Sequence, residues 1–332
     1  MGYAIETVGL TRTFNGIAVV DDLNLKVRRG ELFGFLGPNG AGKTTTIRML
    51  CCLLRPTNGQ ARINGLDVVA DSLKVRSQIG LLPEFSNLYL EFSARYNVEL
   101  MARLHGLSKS ESRRKVNELL DLFDLRGRED DRVAVFSRGM QRRLAMAAAM
   151  AHNPEVLFLD ELTSGLDVHS AKVMREIVRQ LSSDGVTVFL TTHRIEDAEQ
   201  LCQRIGIIDR GRLVAVNSVH ELRRNAGQRD IIELKLSKSK RIRAEQVRKV
   251  EGVAESSWEE ETGSLRLWVD DAEKTLPKVL ETAVKNSVAI LSVRIVKSSL
   301  EDVFLKLTGK PLKEEGPAVD TRLLAQKGLR VG

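Results

Sequence analysis

Apolar and polar positions divide the 332-residue chain into two textures, with the change near residue 220. Before it, short apolar runs alternate with helical patterns, which predicts an α/β core. "AIETVGLTRTF" and "LNLKVRRG" predict short strands and a turn, and "ELFGFLG" a buried strand that enters a glycine-rich loop. "TTTIRMLCCLL" then reads as a helix that stops near "RPTNG". Between 93 and 134, "YNVELMARLHGL" and "RRKVNELLDLFDL" repeat apolar residues three and four apart. This predicts a helical insertion, taken as about 85–150 once the helix after "FSRGM" is included. "VLFLD" and "VTVFLTTH" predict two strongly apolar strands, and "RIGIIDRGRLVAV" follows them.

Beyond 220 the order becomes strand "DIIELKLS", helix "AEQVRKV", strand "VAESSWE", turn "ETGS", strand "LRLWV", helix "AEKTLPKVLETAVKN" and strand "VAILSVRIV". That β-α-β-β-α-β order is a split βαβ, ferredoxin-like pattern. An amphipathic helix, "SLEDVFLKLTG", closes it. The expected domains are therefore 1–220 and 225–310, with a loose polar tail over 311–332.

Composition narrows the classes. With 42% hydrophobic and 29% charged residues, the chain can bury a core and is not expected to be disordered. Its net charge of +7 fits an anionic partner, yet also an ordinary surface rich in Lys and Arg. Aromatics are only 5%, which speaks against stacking platforms, and no nucleic-acid partner is expected. Cys51, Cys52 and Cys202 are odd in number and lack metal-ligand spacing, which fits a reducing compartment. Glu6 and Arg12 interrupt any early apolar run, so no secretory leader is expected. No apolar stretch is long enough to span a bilayer, so any membrane role comes through a partner.

The candidate chemistry begins in "GFLGPNGAGKTTTIRML". Gly37, Gly42, Lys43 and Thr44 meet G-x-x-x-x-G-K-[ST] between a strand and a helix, the setting of a phosphate-binding loop. Glycines let several backbone N–H groups point at one anion, and the helix start adds partial positive charge. Lys43 supplies a full charge, and Thr44 offers a hydroxyl to Mg²⁺. In "VLFLDE", Asp160 ends an apolar strand where it can hold Mg²⁺, and Glu161 follows where it can polarise an attacking water. No N-K-x-D guanine reader is present, which disfavours a GTPase. In "FSRGMQRRLAMAAAM", Ser137 reads as a helix cap with Gly139 in the first turn.

Together these residues resemble the nucleotide-binding subunit of an ATP-binding-cassette (ABC) transporter. "GPNGAGKTT" resembles the Walker A loop, contributing Gly37, Pro38, Asn39, Gly40, Ala41, Gly42, Lys43, Thr44 and Thr45. "VLFLDE" resembles the Walker B strand, and "FSRGM" the L-S-G-G-Q signature, here Ser137, Arg138, Gly139 and Met140. "SGLD" resembles the D-loop with Asp167, "TTH" ends in the switch histidine His193, and Phe14 lies where the family stacks an aromatic on adenine. Order and spacing match over roughly residues 3–217. The resemblance implies a Mg²⁺-dependent ATPase on a P-loop NTPase fold, with a RecA-like core, an antiparallel β subdomain and an α-helical subdomain. It further implies head-to-tail pairing with a second nucleotide-binding subunit. Each ATP then lies between one Walker A loop and the other chain's signature, with Glu161 and His193 as catalytic residues.

Departures from the pattern are Glu84 for the usual Gln, Arg138 for the first signature glycine, Phe136 for leucine and Leu162 for proline. A carboxylate at Glu84 retains a possible Mg²⁺ contact, and Leu162 is expected to loosen its turn. "IGLLPE", "YNVELMARLHGL" and "SLEDVFLKLTGK" resemble the drug-resistance-type export branch. That branch implies a separate integral membrane ABC-2-type permease, a location at the cytoplasmic face of the cell membrane, and a small C-terminal accessory domain. The competing readings are a soluble ABC ATPase acting on ribosomes or DNA, and an importer ATPase. A single cassette without coiled-coil insertions argues against the first, and "SLEDVFLKLTG" against the second.

Overall fold

The computed structural model describes residues 2–85, 87–227, 229–236, 247–259, 262–297, 299–310 and 312. Strands β1 (Tyr3–Phe14) and β2 (Ile17–Arg28) form a hairpin. Asn15 and Gly16 both take positive φ at its tip, the backbone such a two-residue turn demands. With β4 (Asn58–Ile63) and β5 (Leu66–Asp67), they make an antiparallel sheet in the order β2-β1-β4-β5.

The central sheet is mixed. It contains β3 (Leu32–Leu36), β6 (Ile79–Leu82), β7 (Val156–Asp160), β8 (Thr187–Thr192), β9 (Arg204–Asp209) and β10 (Arg212–Asn217), in the order β10-β9-β3-β8-β7-β6. β6, β7, β8, β3 and β9 run parallel, and β10 returns antiparallel. Every residue of β3, β7 and β8 is buried, which explains their continuous apolar runs. Phe33, Phe35 and Phe158 each pack a ring within 5.4–5.7 Å of Phe189.

Helix α1 (Lys43–Leu50) leaves the glycine loop and is shorter than the sequence pattern suggests. Cys52 takes a left-handed φ, and the amides of Leu53 and Leu54 both turn back to the Arg48 carbonyl, so the chain reverses before the last two leucines can join the helix. α2 (Ser72–Gln78) precedes β6. The helical insertion contains α3 (Ala94–Leu104) and α4 (Lys109–Leu122), capped by Ser93 and by a Ser108–Glu111 capping box. It continues into α5 (Arg138–Ala149), capped by Ser137. α6 (Val168–Ser183) and α7 (Ile195–Leu201) follow, and α8 (Val219–Asn225) comes after β10.

The C-terminal α+β domain holds β11 (Asp230–Leu236), β12 (Val253–Glu259), β13 (Ser264–Val269), α9 (Ala272–Lys285) and β14 (Ile290–Val296). Its strands are antiparallel in the order β12-β13-β11-β14. Ile232, Leu234, Leu265, Leu267, Val279 and Ala283 form its own core. Of the helix expected over "AEQVRKV", only Val247 to Val250 is described, and it begins helical. Pro277 lies in the second turn of α9, where it leaves one carbonyl without its helical donor.

The last helix, α10 (Leu300–Thr308), does not join that core. It buries Leu300, Val303 and Phe304 in the apolar cluster of the central sheet, together with Leu222 of α8 and the following Ala226. The Glu199 carboxylate ties the contact by accepting from the Leu300 amide at 3.2 Å and from Arg223 at 2.8 Å. The tail expected over 311–332 lies outside the described residues except Leu312, which is buried in the same cluster. No helix among the described residues is long and apolar enough to cross a membrane.

Candidate functional site

Because β3, β7 and β8 are parallel neighbours, their C-terminal ends deliver three segments to one edge of the sheet. These are the 37–42 loop, the turn after Asp160, and His193. The Gly37 amide bonds the Thr192 carbonyl at 3.2 Å, and the Glu161 amide bonds the Thr191 carbonyl at 3.1 Å. The sequence-predicted Lys43, Thr44, Asp160, Glu161 and His193 meet here.

The glycines of the loop answer to contacts. At Gly42 φ is +105°, and a β-carbon would sit 2.6 Å from the Val19 carbonyl oxygen. At Gly37 it would meet the Ile208 carbonyl oxygen at 2.5 Å. Pro38 accepts from the Ala41 amide, and Ala41 accepts from the Gly211 amide, so the loop is braced against β9–β10. Asn39 and Gly40 are exposed at its crest, and Thr45 follows in α1. Lys43 is buried, and its ammonium donates to the Gly37 carbonyl at 2.7 Å and the Pro38 carbonyl at 3.0 Å.

Thr44 Oγ1 donates to Asp160 Oδ2 at 2.8 Å, and Thr191 Oγ1 donates to Asp160 Oδ1. Thr191 was not singled out by the sequence, yet it fixes the carboxylate plane. Glu161 is buried between two cations or potential cations: Lys43 Nζ at 3.4 Å from Oε1, and His193 Nδ1 at 2.9 Å from Oε2. The latter contact is close but lacks hydrogen-bond alignment, so both atoms are otherwise unpartnered. Burial pushes the Glu161 carboxyl up, but the His193 ring and the Lys43 ammonium together outweigh it and hold the carboxyl below the usual range. Its backbone is left-handed, with φ of +53°, an uncommon conformation for glutamate that its surroundings must hold in place.

The remaining predicted residues divide by place. Phe14 ends β1 beside the start of β2, where Val19 touches Gly42. It is exposed, with the Arg12 guanidinium 4.4 Å from the ring centroid. Glu84 projects an exposed side chain, and its backbone carbonyl is the engaged group. Leu162 is fully buried, and its neighbour Thr163 is anchored to the buried Asp197, which also accepts from Arg175 at 2.7 Å. That network holds the turn which leucine in place of proline was expected to loosen.

Ser137 Oγ accepts from the Met140 amide, and Asp167 caps α6 by accepting from Ser170. The hydroxyl and amide of Ser170 hold the Asp167 carboxyl below its ordinary range. The Arg138 guanidinium lies over Gly165, 4.0 Å from where a β-carbon there would stand. A β-carbon at Gly139 would lie 2.3 Å from Ser170 Oγ and 2.9 Å from Ser170 Cβ. Gly139→Ala is therefore expected to push α5 off the start of α6. We expect a loss of about 1–3 kcal/mol in urea unfolding, with slower ATP turnover.

Like Thr191, a second residue of the site is not marked by the sequence pattern. Arg142, buried on α5, donates to the carbonyls of Leu162 (3.2 Å), Asp160 (2.8 Å), Glu161 (2.9 Å), Glu84 (3.0 Å) and Pro83. The available signal was a charged residue in the buried helical stripe of Gly139, Ala145, Met146 and Ala149.

Comparison with known proteins fits this geometry. Residues 20–164 match the ABC transporter family model, and 218–308 match the C-terminal domain of DrrA1-3-like ATP-binding proteins. The daunorubicin/doxorubicin resistance ATP-binding protein DrrA of Streptomyces peucetius is 38% identical over 93% of each chain. This chain belongs to the ABC transporter family. It is an ATP-binding subunit of the DrrA-like export branch, an ATPase that hydrolyses ATP for transport. The Nod factor export ATP-binding protein I of Ralstonia nicotianae is 33% identical over 93% of this chain and 95% of its own. Among solved structures, the dimeric post-hydrolysis state of the cassette MJ0796 bound to ADP and Pi aligns with a TM-score of 0.60 and 28% identity, over 65% of this chain and 98% of that one. The fold is thus the ABC ATPase fold with mixed sheets, carrying a C-terminal α+β domain of antiparallel strands. ATPase subunits of this family pair and act on a membrane permease.

Proposed function

We propose that this ATPase drives export through a separate ABC-2-type permease at the cytoplasmic face of the cell membrane. The observation that carries the reading is the convergence of Lys43, Thr44, Asp160, Glu161 and His193 at one sheet edge. The 37–45 loop and Lys43 would bind the phosphates of ATP, with Phe14 stacking on the adenine. Glu161, kept ionised by its neighbours, would orient and deprotonate the attacking water, and His193 would hold the geometry at the terminal phosphate.

Thr44 and Asp160 place hard oxygen donors side by side, which suits Mg²⁺ completed by phosphates and water; Glu84, with an exposed side chain, is a further candidate. Among the described residues no group of three or more acidic, His or Cys side chains could hold a metal. Bound Mg²⁺ would neutralise charge on the phosphates. Ser137, Arg138, Gly139 and Met140, at the start of α5, would face the terminal phosphate of ATP held by a second subunit, with Asp167 linking the two sites. That second subunit is a copy of this chain or a paralogue.

An exposed apolar strip supports the permease. Phe85, Tyr89, Leu90, Phe92, Tyr96 and Leu104 lie on the insertion, with Phe85 81% exposed. A cleft of about 370 Å³ opens there, lined by Tyr96, Glu99, Leu100, Arg103 and Leu104. Tyr89, Phe92 and Tyr96 pack ring against ring, and Tyr96 and Leu104 share the cleft; an exposed apolar patch of this kind marks an interaction surface. The domain division read from the sequence stays with this proposal: residues 1–220 as the ATPase and 225–310 as a ferredoxin-like accessory domain, the latter supported by its strand order. The relatives' names cover daunorubicin/doxorubicin resistance and Nod factor export, so the cargo differs between relatives.

Affinity capture of the tagged chain from detergent-solubilised membranes tests the reading. We expect a multispan membrane protein to co-purify, and its recovery to fall when Tyr96 and Leu104 are both changed to Ser. Recovery of ribosomes or DNA instead would overturn it.

A further inference from the structure

Arg142 makes an unusual set of bonds. A guanidinium has five N–H donors in a planar fork, one on Nε and two on each Nη. Here Nε donates to Leu162, Nη2 to Asp160 and Glu161, and Nη1 to Pro83 and Glu84, so every donor has a backbone carbonyl. The charge is buried at 6% exposure and makes no ion pair with a carboxylate among the described residues, although Asp160, Glu84 and Glu161 lie near enough to oppose the effect of its burial. Burial nevertheless lowers its pKa to about 10. A buried cation is held this way only when its geometry is well satisfied, because each unmade bond costs a desolvation penalty.

The five carbonyls belong to two segments. One, residues 160–162, carries Glu161 in its left-handed conformation. The other, residues 83–84, leads directly into exposed Phe85 at the start of the apolar strip. Arg142 itself stands on α5, whose first turn is the signature. One side chain therefore joins the docking strip, the signature helix and the peptide units on both sides of the catalytic carboxylate. A shift of the 83–85 segment changes two of its five bonds, and the other three act on the Glu161 backbone.

We propose that Arg142 is a positioning residue that holds the Glu161 backbone in its working conformation and makes that conformation depend on the 83–85 segment. The proposal rests on the reading of Glu161 as the base. Lysine keeps the charge but offers three donors from a single point, so it cannot span two segments as the fork does. A displacement of about 1 Å at a reacting group costs on the order of 100-fold in rate.

The test uses the full-length protein with Arg142→Lys and Arg142→Gln, each checked for cooperative urea unfolding; if the Gln variant does not fold, the Lys variant carries the test. We expect Arg142→Lys to lower kcat about 10- to 100-fold, while ATP affinity by calorimetry and KM stay within about threefold. A structural role alone would not produce the second expected result. In a Glu161→Gln background, Arg142→Lys should cause no further drop in single-turnover hydrolysis, because its route to the chemistry is already gone. Wild-type kcat in Arg142→Lys, or full additivity of the two changes, would overturn the proposal. Wild-type hydrolysis by Glu161→Gln alone would instead overturn the reading of Glu161 beneath it, so the two failures are distinguishable.

Discussion

The Glu161→Gln variant is expected to release phosphate at least about 100-fold more slowly than wild type, with ATP affinity within about threefold, since a general base contributes roughly 10²–10⁴ in rate. Glutamine is nearly isosteric and keeps an oxygen toward Lys43, which lies 3.4 Å from Oε1. It cannot accept a proton. What is lost is then confined to the chemical step, about 2.7 kcal/mol or more for that factor. Electrostatics favour the assignment. A carboxylate this buried would ordinarily resist ionisation, but His193 and Lys43 keep it charged, so the base is ready at neutral pH. Phosphate release in a coupled assay and calorimetry under the same conditions check the two halves of the expectation. Hydrolysis at the wild-type rate would remove Glu161 from its role.

Lys43→Ala is expected to weaken ATP binding by about 10- to 100-fold, from the roughly 1.5–3 kcal/mol of a hydrogen bond to a charged group. Two effects add. The phosphates lose a buried ammonium that the loop already orients through Gly37 and Pro38. Glu161 also loses a cation, which leaves its buried charge supported mainly by His193. The variant should therefore lose kcat as well as affinity, unlike Glu161→Gln. Calorimetry with a non-hydrolysable ATP analogue and Mg²⁺ measures the first effect, and unchanged affinity would count against the loop as the phosphate cradle.

How much of this was legible follows from what kind of partner each residue uses. The glycine loop could be read because tight backbone turns demand glycine at fixed spacing, and Gly37 and Gly42 prove to be the close-approach positions. β7 and β8 could be read because both of their faces are buried, which forces unbroken apolar runs. The strands of the C-terminal domain were visible through a different pattern, alternation with one buried face, as at Leu265 and Leu267. By contrast β4, β5, α2 and β6 are short and carry weak periodicity, and the sequence reading passed over them.

Other features lay beyond the reach of pattern. α10 follows the C-terminal strands in sequence, yet Phe304 packs in the apolar cluster that also holds Leu157 and Leu190 of the central sheet, a choice between two apolar clusters that periodicity cannot make. Arg142 was illegible because its partners are backbone carbonyls, which carry no residue identity. The left-handed φ of Glu161 was hidden too, since no glycine or asparagine marks it.

The central claim is that ATP held by the Lys43 loop is sealed by the 137–140 segment of a second subunit. Light scattering of purified Glu161→Gln with and without Mg-ATP tests it most directly. The account predicts the mass of two subunits with nucleotide and of one without it; a single-subunit mass at saturating Mg-ATP, with or without an added paralogous subunit, would contradict it.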